Sequence, residues 1–317
     1  MPGHRRLKVG LHLPETERIA PWQDLAEMCR TAEDVGFDSI WMPDHLLYRS
    51  PGEETTGPWE CWSVLSAVAA ITSQVEIGPL VLCTSFRNPA LIAKMAATID
   101  EVSNGRLILG LGAGWNEPEY SAYGFPFDHR LERFDEAFTI IRKLLREGQV
   151  DFTGKFYQAR DCELRPRGPR PQGPPLMIGS RGPKLLRKTM AYADSWNGWG
   201  AWFGNRGPGI DPFQAEVDAA CREVGRDPAT LERTAGLLID LPERDPNRSG
   251  RASVTGATEP TTKPDPPATG TPEELAELLR GYARVGIVHV QVWLDPITVA
   301  GVESFARTLE LLDRDTG

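Results

Sequence analysis

The chain lacks any stretch approaching the ~18 uninterrupted apolar residues that a helix needs to cross a bilayer. Its start, MPGHRRLKVGLHLPETE, carries basic residues without the apolar core and small-residue cleavage site of a secretory leader, so a cytoplasmic location is expected. Positive charge is also scarce. Against 44 Asp and Glu there are 35 Lys and Arg, a net charge of −9. Such a surface repels nucleic acid and anionic lipid, and neither is an expected partner. The five cysteines (Cys29, Cys61, Cys83, Cys162, Cys221) are scattered without a CxxC pair, which argues against a disulfide framework and a cysteine zinc site. The five histidines form neither HxH nor HExxH, and GxSxG is missing. A metal site and a serine-hydrolase elbow therefore both lack support.

Glycine and proline are plentiful instead, at 31 and 27 of 317 residues, in an otherwise ordinary globular composition. The length suits one large α/β barrel or two average domains. Short β-like apolar runs alternate with longer runs of helical periodicity. Strands are expected at 7–13, 39–42, 75–82, 106–111, 176–179, 195–199, 234–239 and 286–293. Helices are expected at 22–35, 59–73, 89–102, 131–147, 183–193, 213–224, 271–284 and 299–312. Eight strands, each followed by a helix, predict an α/β fold of the (β/α)8 TIM-barrel type spanning 1–317 as one domain. A doubly wound sheet would use the same elements, but the count of eight favours closure.

Two Pro/Gly-rich stretches interrupt the rhythm. Residues 152–175 precede the fifth strand and should begin with a small hairpin; residues 242–270, before the penultimate helix, are polar and without apolar period. Both are expected around the mouth of the barrel, the second as a lid or a plain surface insertion.

Barrel sites lie just past the C-terminal ends of the strands. Asp44-His45 follows the second strand, a carboxylate beside an imidazole suited to proton transfer, or equally a capping and core hydrogen-bonding pair. Cys83 follows the third. Gly110-Leu-Gly-Ala-Gly-Trp-Asn-Glu117 follows the fourth, where Gly112 and Gly114 would let backbone lie against a flat ring and Asn116 would supply an amide; a ligand-free turn fits as well. Gly179-Ser180-Arg181-Gly182 joins a strand to a helix, so its N–H groups and arginine suit a phosphate, and a plain βα turn fits too. His289 and Gln291 share one strand face with Trp293, as polar candidates for pocket lining near its top; His12 is a weaker candidate. Tryptophans at strand ends, among them Trp115 and Trp199, suggest an aromatic wall or simple packing.

These strand-end residues, in this order, resemble the bacterial-luciferase-like family of flavin and deazaflavin oxidoreductases. The matching pieces are WMPDHL (41–46), VLCTSFRNPALIAKMAATIDEVSNGRLILGLGAGWNEPEY (81–120), FPFDHRLERFDEA (125–137) and IGSRGPKLLRKTMAYADSWN (178–197). The resemblance implies a flavin-type ring at the strand C-termini and a non-prolyl cis peptide behind it, placed here at Leu80–Val81, with Cys83 near the ring edge. It implies the phosphate on Gly179–Gly182, Asn116 facing the ring and Asp44-His45 beside its reactive edge. Members that use the deazaflavin coenzyme F420 often carry Asp-His after the second strand, whereas FMN monooxygenases more often carry Glu-His. Where the sugar-phosphate dehydrogenases of the deazaflavin branch have an acid after the glycine-rich turn, this chain has Trp115, which implies a more apolar substrate pocket.

The expectation is an enzyme that moves a hydride between F420 and a small organic substrate, with FMN-dependent monooxygenation as the alternative. A non-catalytic flavin-binding barrel is the alternative of another class. His45 and Asp44 would serve catalysis. Leu80, Val81, Cys83, Gly112, Asn116, Gly179, Ser180, Arg181 and Gly182 would hold the cofactor, no metal is expected, and a homodimer is a candidate assembly.

Overall fold

The computed structural model of the chain describes residues 5–49, 52, 54–242 and 266–314. From the amino terminus run β1 (Lys8–His12), α1 (Trp22–Asp34), β2 (Ser39–Met42), α2 (Cys61–Ile71), β3 (Glu76–Pro79), β4 (Leu82–Cys83) and α3 (Pro89–Val102). Next come β5 (Leu109–Gly112), α4 (Glu117–Tyr123), α5 (Arg130–Glu147), β6 (Gln149–Thr153), β7 (Gln158–Glu163), β8 (Leu176–Ile178) and α6 (Pro183–Thr189). The chain continues through β9 (Ser195–Trp199), α7 (Asp211–Glu223), β10 (Glu232–Asp240), α8 (Pro272–Arg284), β11 (His289–Asp295) and α9 (Val299–Asp313).

The strands pair in parallel in the order β3-β2-β1-β11-β10-β9-β8-β5-β4, and a bridge between Ile77 and Leu107 joins the two ends. The ring is therefore closed, and the barrel architecture is as expected. β3 and β4 are two halves of one stave, divided at a cis peptide between Leu80 and Val81, the position expected for it. Local signals set the helix starts. The Asn88 side chain accepts from the N–H groups of Ala90 and Leu91, with Pro89 at a position that needs no donor. Thr271 and Glu274 form a reciprocal capping box before α8. The second helix begins at Cys61 rather than 59 because the Glu60 carboxylate accepts from Ser63 N–H and caps it.

Strand alternation sorts the side chains into two layers. Val9, Leu11, Ile40, Met42, Leu109, Leu111, Val290 and Val292 face the helices and join the main core. The opposite faces turn inward, where Trp41, Ile108 and Met177 form a separate buried cluster. Glycines on this inward face make room for large neighbours. A Cβ at Gly112 would stand 2.8 Å from Val81 Cγ2, and one at Gly179 2.9 Å from Val81 Cγ1. Gly112 and Gly179, both expected to lie against a cofactor, also make room for the isopropyl group of Val81.

The first stretch keeps its prolines, Pro166 to Pro175, away from the mouth. Its hairpin pairs β6 with β7 antiparallel, with its turn held where Glu136 accepts from the N–H groups of Lys155, Phe156 and Tyr157. Beyond it, Arg170 reaches Asp100 near the end of α3, and Arg167 donates to the carbonyls of Leu145 and Arg146 at the end of α5. Helix C-termini flank the N-terminal ends of barrel strands, so this segment closes the floor opposite the site. Of the second stretch, residues 243–265, and the lid expected there, lie outside the described residues; Ala268 returns to bridge Ile239.

Candidate functional site

The barrel mouth opens over four adjacent staves. Leu80 and Val81 between β3 and β4, Ala113 to Trp115 after β5, Gly179 and Ser180 after β8 and Trp199 at the end of β9 are only half-buried, although they lie at the ends of otherwise buried strands. Beside this opening, the loop after β2 carries Asp44 and His45.

Asp44 is buried and fully engaged. Its carboxylate accepts Cys83 N–H at 2.8 Å and a bidentate pair from Arg87 Nη1 and Nη2, each at 2.8 Å. Fork-to-fork geometry of this kind is strong and orienting. Asp44 thus fixes the start of the loop, while His45 is gripped by a different residue. The His45 Nδ1 lies 2.9 Å from Glu119 Oε1, on the short helix α4, and the second Glu119 oxygen accepts Leu46 N–H at 2.8 Å. Asn116 Nδ2 donates to the Leu47 carbonyl at 2.8 Å, so its amide also ties down the loop. Three consecutive loop residues are held by one turn of chain.

On its other side the His45 Nε2 faces Glu15 Oε1 at 3.9 Å, too long for a hydrogen bond. Glu15 itself accepts from the Tyr48 hydroxyl, and Tyr48 and Trp115 stand around the imidazole with ring centroids 4.8 and 5.5 Å away. Burial disfavours the imidazolium, but the bond to Glu119 and the charges of Glu15, Glu119 and Asp44 outweigh it, and the affinity of His45 for its proton rises above the ordinary. Burial, which opposes the charged form, raises that of Glu15.

Cys83 is buried. Its thiol contacts the Tyr120 hydroxyl at 2.9 Å within a cluster with Phe86, and burial pushes it up to about 12, leaving no thiolate. The turn Gly179–Gly182 precedes α6. Here Gly182 N–H donates to Ser180 Oγ, and the exposed Arg181 guanidinium lies over the rings of Trp202 and Phe213. A Cβ at Gly182 would meet only Ser180 Oγ at 3.5 Å, so this turn is open to an approaching group. The Ser180 hydroxyl and the Arg181 guanidinium match a phosphate in chemistry, and the half-buried strand ends lie beside them.

His289 and Gln291 do point into the barrel, but His289 opens β11 and so lies near its floor. It meets Ser39 Oγ at 2.7 Å, Asn197 bridges Gln291 and Thr234, and burial lowers the His289 pKa to about 3. This is a structural polar layer rather than pocket lining. His12 stacks on Trp293 at 3.6 Å. The sequence reading missed Glu15, Arg87 and Glu119. Pro118 at the first turn and Gly124 in the left-handed conformation after Tyr123 were the signals that could have revealed α4. Among the described residues no His, Cys, Asp and Glu gather as a metal site, and no helix is long and apolar enough to cross a membrane.

The sequence matches the luciferase-like monooxygenase family over residues 6–245. An F420-dependent glucose-6-phosphate dehydrogenase of Amycolatopsis mediterranei is 40% identical over 196 residues, 60% of this chain and 56% of that protein. The pyrimidine monooxygenase RutA of Agrobacterium fabrum is 33% identical over 226 residues, 67% of this chain and 59% of that protein. The chain spans somewhat over half the length of these two curated relatives. Among solved structures, an F420-dependent secondary alcohol dehydrogenase with an F420-acetone adduct superposes at a TM-score of 0.79. That match covers 97% of this chain and 99% of the other at 20% identity, a likeness of fold. With most of its length matched and the closed barrel in place, the chain belongs to the luciferase-like monooxygenase family.

Proposed function

We propose that this chain is an oxidoreductase that transfers a hydride between coenzyme F420 and a small organic substrate. The observation that carries the reading is His45, fixed at the barrel mouth with Nδ1 on Glu119 and its other nitrogen uncommitted to a hydrogen bond. Bound F420 would supply a carrier of two electrons and leave proton transfer to the protein. The raised proton affinity of His45 suits it to carry a proton, for donation to a substrate oxygen or for recovery from one. Asp44 anchors the loop through Arg87 and Cys83 N–H. Leu80, Val81 and the segment 112–116 would border the ring, and Gly179–Gly182 with Arg181 would hold the phosphate. Half-buried Trp115 beside His45 gives the substrate an apolar wall, which disfavours a sugar phosphate.

The Asp44-His45 doublet and the F420-dependent relative at 40% identity support the deazaflavin. The pyrimidine monooxygenase relative supports a second reading, an FMN-dependent monooxygenase using O2. Titrating the purified protein with F420 and with FMN, followed by absorbance and fluorescence, separates them. Tight F420 binding is expected; FMN binding without F420 binding would favour the monooxygenase, and binding of neither would overturn both. Arg181→Ala should weaken cofactor affinity, and unchanged affinity would place the phosphate elsewhere. His45→Ala should retain cofactor and lose turnover, whereas a non-catalytic binding barrel would show no turnover to lose.

A further inference from the structure

We infer that Glu119 is the positioning residue of the site, selecting the nitrogen that His45 presents and holding the imidazole in one orientation. The inference rests on the reading of His45 as the proton-carrying residue. Three observations support it. Glu119 is buried, with only 1% of its side chain exposed, and both of its oxygens are engaged by the His45 loop, one at Nδ1 and one at Leu46 N–H. The next residue, Tyr120, anchors α4 by donating to the Ala113 carbonyl at 2.8 Å and meeting Cys83 Sγ at 2.9 Å. Asn116, immediately before α4, holds the Leu47 carbonyl. The carboxylate is thus fixed at both ends, and the imidazole has little freedom to turn.

A carboxylate accepts only, so Nδ1 must carry the hydrogen in this bond. In the neutral ring Nε2 is then bare, and in the imidazolium it carries the mobile proton. Either way, Nε2 is the nitrogen offered towards Glu15. The groups facing the ring are Glu119 from α4, Glu15 from the loop after β1, and Asp44 and Tyr48 from its own loop. Arg87 reaches this set only through Asp44. Among the described residues Glu119 is the one carboxylate within hydrogen-bond distance, so its removal should change both the tautomer and the proton affinity of His45.

The test is an NMR titration of the full chain with isotopically labelled histidine, five residues in all, using His45→Ala to assign the signal. In the unaltered protein His45 should titrate above the ordinary histidine value, with Nδ1 protonated in the neutral form. Glu119→Gln keeps an acceptor for Leu46 N–H but removes the charge. It should lower the His45 proton affinity by about tenfold, equivalent to a one-unit shift, and mix the tautomers; Glu119→Asp should restore part of both. Unchanged affinity and tautomer in a folded Glu119→Gln protein would overturn the assignment. If that variant does not fold, Glu119→Asp carries the test, and a His45 titration and tautomer identical to the unaltered protein despite the shortened reach would overturn it. Because the readout needs neither cofactor nor substrate, this result and the failure of the proposed reaction are distinguishable.

Discussion

Replacing Arg87 with alanine should destabilise this protein more than any ordinary surface substitution. Arg87 is the bidentate partner of Asp44, whose side chain is 1% exposed, while that of Arg87 is 12% exposed. Removing it strands a carboxylate that keeps only the N–H of Cys83. Breaking a buried pair from one side costs about 3–5 kcal/mol, because the remaining charge can neither hydrate nor find a substitute. The second contact of Arg87, to Glu60, is 41% exposed on the acidic side and adds at most about 0.5 kcal/mol. For 317 residues the unfolding entropy is about 0.7 kcal/mol per kelvin, so the thermal midpoint should fall by roughly 4–8 °C. Calorimetry or tryptophan fluorescence at pH 7 and a fixed scan rate measures it. Adding Asp44→Asn removes the stranded charge, and the double variant should recover part of the loss. A fall under about 2 °C, or a double variant no better than the single one, would refute the view that this pair is what holds Asp44 in place.

The inward packing offers a second test: Gly179→Ala should cost about 1–3 kcal/mol by crowding Val81, and Val81→Ala in the same chain should relieve much of it, as measured by denaturant unfolding. His289, with its pKa lowered to about 3, stays neutral in the fold while an unfolded histidine titrates near 6.5. Between these values the unfolded state binds more protons, so this group erodes stability as pH falls from about 6.5 towards 3. His289→Gln, uncharged at every pH, should flatten that part of the stability profile. A profile as steep as that of the unaltered protein would assign the acid sensitivity to other groups.

The two layers of the barrel explain why the glycine-rich segments were ambiguous in one dimension. A glycine can make room for a ligand or for a neighbouring side chain, and the sequence around it is the same in both cases. Gly112 and Gly179 are on different staves, and the side chain they accommodate, Val81, belongs to a third. The convergence exists only once the ring has closed. The same holds for His45. Its adjacent acid, Asp44, is the obvious partner in sequence, yet that carboxylate is taken by Arg87, 43 residues on, and the hydrogen bond to the imidazole comes from Glu119, 74 residues on.

Periodicity, capping residues and proline placement were enough to read the eight-fold βα alternation, because these signals act over a few residues along the chain. Asp44, His45 and the turn at 179–182 were legible as candidates because sites in this architecture collect at strand ends. What lies between distant segments was decided by tertiary structure alone. The floor position of the proline-rich segment follows from arginines reaching the ends of α3 and α5, and the depth of His289 follows from its place at the start of β11. Local pattern determined where functional groups occur along the chain; closure of the barrel decided which of them meet, because each meeting is a contact between staves and loops that have no proximity until the ring is formed.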